Sequence, residues 1–289
     1  MTAVSRPAGL PRARLPKGRP ATWFVWACVA FFLVNLFALI LSVVVNSFGT
    51  KWFAGWLPQG FTGAWYTDAW SEFALGDVLT VTLEITLVVV ALALLIGVPA
   101  GYALARRDFP GKRAVLFLLL LPVLLPPITY GIPLATVLYK VHLAGTMTGV
   151  VAANLVPALP FVVLVMTPFV EQIDANVESA ARMCGARTRQ VFTRVLVPLL
   201  LPGILAAGIL VLVRTVAMFE LTFLVADADS QTLIVALYSA AFTPGIRAAQ
   251  AIDAMAVIYM ALSAVLLIVA LMFVNPTQIV AQVREAPAE

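Results

Sequence analysis

Glu84, Arg214 and Glu220 are ionisable side chains inside stretches apolar enough to cross a membrane. A charge at that depth costs at least ~2.5–3.5 kcal/mol on insertion scales, so each is by default a functional candidate. Their surroundings do not suggest catalysis. His142 is the only histidine, near the end of an apolar run, which excludes a His-based metal cluster. No G-x-x-x-x-G-K-[ST] loop occurs, and "PGKR" at 110–113 lacks the preceding glycine and strand that phosphate binding needs. Cys28 and Cys184 are too few for a disulfide framework and read as plain thiols. What remains is reversible contact with a polar group. Arg214 and Glu220, with Tyr130, Asn154 and Phe219, form a plausible polar-aromatic lining. For Arg214 a bond to helix carbonyls or to an acid on a neighbouring chain is the competing reading, and Glu84, near an interface, reads as structural.

These residues must be held by membrane spans. The chain is 62% hydrophobic and only 11% charged, with mean hydropathy +1.02. A soluble domain carries about a quarter charged residues. A span needs about 20 apolar residues. Six stretches qualify, at 22–45, 78–105, 114–139, 148–170, 199–226 and 251–274. The first apolar run is too long for a signal peptide and is expected to stay as an anchor. Counted from Leu199 at 1.5 Å per residue, Arg214 lies ~23 Å and Glu220 ~32 Å into a straight fifth span. Six residues apart, they lie on different faces.

The basic residues set the orientation. Arg6, Arg12, Arg14, Lys17, Arg19, Arg106, Arg107, Lys112, Arg113, Arg182, Arg187, Arg189, Arg194 and Arg284 fall on one side, and Lys51, Lys140 and Arg247 on the other. Alternating over six spans, fourteen against three places both termini in the cytoplasm. The expected organisation is a basic tail at 1–21, an anchor at 22–45, an external loop at 46–77, a core at 78–274 and a tail at 275–289. In the external loop, Trp52, Trp56, Trp65 and Trp70 suit a helix lying at headgroup level, chiefly as an anchor. The third span carries Pro122, Pro126, Pro127 and Pro133 and is expected to bend, which lipid tolerates only beside protein or a wet cavity.

Between spans four and five lies "ESAARMCGARTRQVFTRVLVPLLLP", residues 178–202, a basic segment of helical spacing. Ala180, Ala181 and Cys184 share one face, and Gly185 breaks the helix. A second short helix with Val191, Phe192 and Val195 on an apolar stripe should follow, with Pro198 and Pro202 opening the next span. Such an elbow suits docking by a soluble partner or contact with anionic lipid through its arginines. The residues alone leave both open.

The segment resembles the cytoplasmic EAA loop of permease subunits of binding-protein-dependent type I ABC importers. That pattern is EAA, three residues, Gly, then an apolar residue such as Phe, then Pro entering the next span. Here it reads Ser179-Ala180-Ala181, three residues, Gly185-Ala186, then Phe192, Val195 and Pro198. The motif's acid position holds Ser179, with Glu178 one residue earlier. "GVPAGYALARRDFPGKR" is similar to the family's second span and following loop. "GFTGAWY" and "SQTLIVALY" look like the spermidine/putrescine and iron(III) branch, although sugar-type permeases are also similar.

The resemblance implies an all-α polytopic fold of six transmembrane helices, with a coupling loop at 171–198 between helices four and five. It implies that Glu178, Ser179, Ala180, Ala181, Gly185, Ala186, Phe192 and Pro198 couple the chain to an ATPase. It implies as partners two ABC ATPase subunits that bind ATP and Mg, a second permease in a heterodimer, an extracytoplasmic solute-binding protein and the bilayer, with no nucleic acid. The chain itself would bind no cofactor and catalyse nothing, in the plasma (inner) membrane of a prokaryote. The solute class it points to is a polyamine or related molecule. Yet a polyamine permease should carry an acidic pair where this chain has Ala217 and Met218, and Arg214 repels polycations. A sugar, polyol or organophosphate is the alternative solute. An ion-coupled secondary transporter is the alternative of another class, but it predicts internal repeats that are not visible and leaves the basic elbow without a purpose.

Overall fold

The computed structural model describes residues 20–50, 58–243 and 248–272. Lys51, Trp52, Trp56, Arg247 and most of the two expected tails lie outside these residues. Among the described residues, five helices are long and apolar enough to cross a membrane. They are α1 (Pro20–Phe48), α3 (Leu75–Arg106), α6 (Met147–Glu171), the continuous helix Thr188–Val216 and α12 (Ala249–Met272). The pair α4 (Lys112–Leu124) and α5 (Pro127–Lys140), bent by 101°, is a broken sixth.

Hydrogen bonds at the helix ends fix the topology. Arg106, the last residue of α3, donates to the carbonyl of Ile173, just beyond α6, at 2.6 Å. So α3 and α6 run parallel and end at one level, and α4–α5 must carry the chain across to where α6 begins. At that opposite level the Gly145 N–H donates to Val225 C=O at 2.7 Å, so the Thr188–Val216 helix has crossed as well. The pair α4–α5 is therefore a bent crossing rather than a re-entrant hairpin.

Of the four prolines of the third span, only Pro126 and Pro127 break it. A residue before proline is driven out of the α region. Leu125 accordingly takes ψ 143° and Pro126 takes ψ 132°, while Pro127 opens α5 with its missing N–H at no cost. Pro122 and Pro133 sit inside helices. The core clusters around α3, α6 and the Thr188–Val216 helix. Gly97 and Gly101, four apart on α3, let it approach α6: a Cβ at Gly97 would come within 2.6 Å of Val162, and one at Gly101 within 3.0 Å of Met166. Small residues at this spacing are how helices close up where lipid offers no hydrophobic drive.

A second cluster joins α2 (Ala64–Glu72), α11 (Leu233–Phe242), α12 and the start of α3. The α2 helix falls within residues 46–77, where an interfacial helix is expected. Trp65 donates to Gly49 C=O at 2.8 Å, Tyr66 shares a 2.8 Å hydrogen bond with Ser47, and Trp70 stays half exposed. Asn46 of α1 donates to Asp253 of α12. Along most of its length α1 is exposed, from Trp23 to Leu41, so it presents an apolar surface outward.

Two expectations need correction. The elbow's second helix is not a separate short element. It is the beginning of Thr188–Val216, where α8 (Thr188–Gln190), a π-helical turn (Val191–Leu196) and α9 (Val197–Val216) follow without a break. The widened turn, in which Val197 N–H bonds Phe192 C=O, lets the helix run through Pro198. The fifth span also does not reach 226. It stops at Val216, and a separate short helix α10 (Glu220–Val225) follows. The straight-helix depth of Glu220 therefore does not hold.

Candidate functional site

The elbow begins with Asp174, whose carboxylate caps α7 (Ala175–Met183) by accepting from Asn176 N–H at 2.9 Å. It ends in a Schellman motif. Ala186 N–H bonds Ala181 C=O and Gly185 N–H bonds Arg182 C=O, with Gly185 at φ +82°. Gly185 thus ends the helix as its position suggested.

The residues expected to couple the chain to a partner divide into two sets. Glu178 points inward and is buried. It accepts from Tyr102 Oη at 2.6 Å, from Arg106 Nε at 2.8 Å and from Arg182 at 3.4 Å. Phe192 also faces inward, edge-on to Tyr102 at 5.7 Å between ring centroids. Ala181 and Ala186 are half buried against the core. Ser179, Ala180, Gly185 and Pro198 are exposed. Beside them Val177 is 39% and Met183 83% exposed, apolar surface on a polar segment. Arg106 and Tyr102, which hold the elbow to α3, were not singled out by sequence. The pairing of a last-turn arginine with a loop glutamate 72 residues on is not visible in spacing.

Of the residues expected to line a polar pathway, Tyr130, Asn154 and Glu220 lie on α5, α6 and α10, which pack together. Asn154 of α6 donates to Thr222 of α10 at 3.2 Å. Tyr130, three residues past the start of α5, lies within electrostatic reach of both Arg214 and Glu220. Arg214, in the last turn of α9, sits over the Phe161 ring at 5.5 Å, a cation–π contact. Phe219 stacks on Phe223 at 5.1 Å and packs at a tilt against Tyr238 at 4.8 Å. Tyr130 and Asn154 thus flank the region where α5, α6 and α10 meet, with Arg214 and Glu220 within electrostatic reach of Tyr130, while Phe219 packs toward α11. The Tyr130 hydroxyl and Asn154 Oδ1 are buried without a hydrogen-bond partner. Neither Arg214 nor Glu220 has an ion pair among the described residues.

Glu84 is exposed and stands apart from this cluster. Asp253, a third acid within the expected spans and partly buried, was missed. It lies within the expected sixth span, and the signal was its charge. Among the described residues no group of His, Cys, Asp and Glu could hold a metal ion.

The profile of binding-protein-dependent transport system inner membrane components matches residues 93–278. A trehalose transport system permease protein of Mycobacterium tuberculosis is 35% identical over 132 residues, 46% of this chain and 48% of that protein. The chain thus spans about half the length of that relative. A probable molybdenum ABC transporter permease protein of Haloferax volcanii is 33% identical over 217 residues, 71% of this chain and 78% of its own. The crystal structure of a bacterial ABC transporter involved in the import of the acidic polysaccharide alginate shares the fold. Its TM-score is 0.70 at 19% identity, over 89% of this chain and 98% of that chain.

Proposed function

We infer that this chain, which belongs to the family of binding-protein-dependent transport system inner membrane components, is the permease subunit of an ATP-driven ABC importer. It lines half of a pathway for a small polar solute and performs no catalysis of its own. The observation that carries this reading is the elbow. It is locked inward through Glu178 to α3, is continuous with the Thr188–Val216 helix, and turns Val177 and Met183 outward. Exposed apolar side chains on a cytoplasmic loop favour a partner surface that covers them.

The partner is a pair of ABC ATPase subunits, which bind ATP and Mg. Closure of that pair pushes the elbow, which moves α3 and the Thr188–Val216 helix as one body. A second permease completes the pathway, and an extracytoplasmic binding protein delivers the solute. The distribution of basic residues supports an elbow and both termini in the cytoplasm, with the chain in the inner membrane of a prokaryote.

Polyamines lose support as the solute. The relatives described above are named for trehalose and molybdenum, and Arg214 stands in the cluster without an acid to neutralise it. A sugar or polyol, or a small oxyanion including an organophosphate, fits Tyr130, Asn154 and Arg214 better. The test is ATP hydrolysis by the complex reconstituted with its ATPase, second permease and binding protein. Disaccharides, acidic sugars, molybdate, organophosphates and spermidine are supplied in turn. Stimulation by a sugar or an oxyanion supports the reading, and stimulation by spermidine alone reverses the solute assignment. Failure of any ATPase to co-assemble brings the secondary-transporter reading forward.

A further inference from the structure

A cleft of about 470 Å3 opens between the last turns of α3 and the start of the Thr188–Val216 helix. Its surface is apolar from Pro99, Val191, Phe192 and Leu196, and Arg182 and Arg189 also line it. Both arginines are exposed, and Arg189 has no acidic partner among the described residues. Arg182 has only Glu178, at 3.4 Å, and its side chain remains 53% exposed. One turn further along the spans from the elbow, Leu95 of α3 is 71% exposed and Leu199 of α9 50% exposed, apolar surface at the depth of the spans. The cleft is therefore cationic where the chain meets the cytoplasm and hydrocarbon-like toward the membrane interior.

We propose that this cleft binds one anionic phospholipid of the cytoplasmic leaflet. Its phosphate sits between Arg182 and Arg189, and an acyl chain runs over Pro99 and Leu196 toward Leu95 and Leu199. The charge and depth profile of the cleft matches that of the molecule. Guanidinium groups pair with phosphate oxygens through short charge-assisted hydrogen bonds. Anionic headgroups concentrate where basic residues face the leaflet. Arg182 also bonds Glu178, so the lipid bears on the side chain that locks the elbow to α3. Lipid binding itself does not require that the chain transport anything.

The test is native mass spectrometry of the full chain, delipidated in detergent and reloaded with phosphatidylglycerol or phosphatidylcholine of identical acyl chains. The expected result is one retained phosphatidylglycerol, about tenfold preferred, with the preference lost in Arg182→Gln/Arg189→Gln. Arg189→Gln alone, at an exposed residue without an acidic partner, should keep the fold and lower the preference at least threefold. Thr188→Trp, which narrows the cleft without changing its charge, should also lower retention. Equal retention of the two lipids, or a preference unchanged in Arg189→Gln, overturns the proposal. Retention by the lone chain that vanishes when the second permease is added also overturns it, by assigning the cleft to the subunit interface.

Discussion

At the elbow, Glu178 accepts from Tyr102, Arg106 and Arg182, and the arginine that holds it also caps the carbonyl of Ile173. At the meeting of α5, α6 and α10, the Tyr130 hydroxyl and Asn154 Oδ1 accept nothing, and Arg214 has only the face of Phe161. Both regions embed polar groups among apolar helices. The first satisfies its groups within the chain and so fixes the position of one element against another. The second leaves them open, which is costly in a folded state unless a visiting molecule or water uses them. Completed bonds suit transmission of force, and unfinished bonds suit a pathway.

This contrast can be tested by substitution, beginning where the loss should be greatest. Glu178→Ala strands Arg106 next to a buried cavity. Breaking a buried pair from one side costs about 3–5 kcal/mol. The midpoint of thermal unfolding in detergent should fall by many degrees, and the reversed pair Glu178→Arg/Arg106→Glu should recover part of it. A stability unchanged in Glu178→Ala would show that the elbow is not held as described. Next comes Gly97→Leu, which drives a side chain into Val162 and should cost about 1–3 kcal/mol through overpacking of α3 on α6.

Gly185→Ala separates geometry from contact. Nothing lies within 4 Å of the added methyl, so only the left-handed backbone is penalised. The cost should be roughly 1–2 kcal/mol. Gly185→Pro and Phe192→Asp should abolish solute-stimulated ATP hydrolysis while the chain still inserts. Wild-type solute uptake by either variant would remove the elbow from the coupling path.

The smallest effect on stability belongs to the second region. Tyr130→Phe removes a buried hydroxyl that bonds nothing, so stability should hold or rise by up to ~1 kcal/mol. Solute transport should fall several-fold all the same. A Tyr130→Phe variant that loses stability but transports normally would mean that its hydroxyl is structural and the comparison is wrong.

The sequence carried the elbow and the spans legibly because their signals are local. Gly185 read as a helix end from glycine's backbone freedom, and its φ is +82°. Pro126 and Pro127 read as a bend, because proline restricts itself and the residue before it. The elbow's second half was less legible. A proline inside a helix reads as a boundary, yet the π turn at Val191–Leu196 let the chain pass Pro198 unbroken. The polar lining was legible as a set of residue types but not as an assembly.

By itself the sequence marked out the apolar spans through hydropathy, and the arginine distribution gave the expected orientation, because lipid sorts side chains by polarity wherever they lie in the chain. It also determined that a helix ends at Gly185, because that conformation depends on one residue. Only the tertiary structure decided which way Glu178 faces and where the fifth span ends. Residues 214–219 contain neither glycine nor proline, so nothing local stops that helix. It stops because Leu221, Thr222 and Val225 are buried where α10 meets α5 and α6, and burial against distant elements outweighs the local preference to continue.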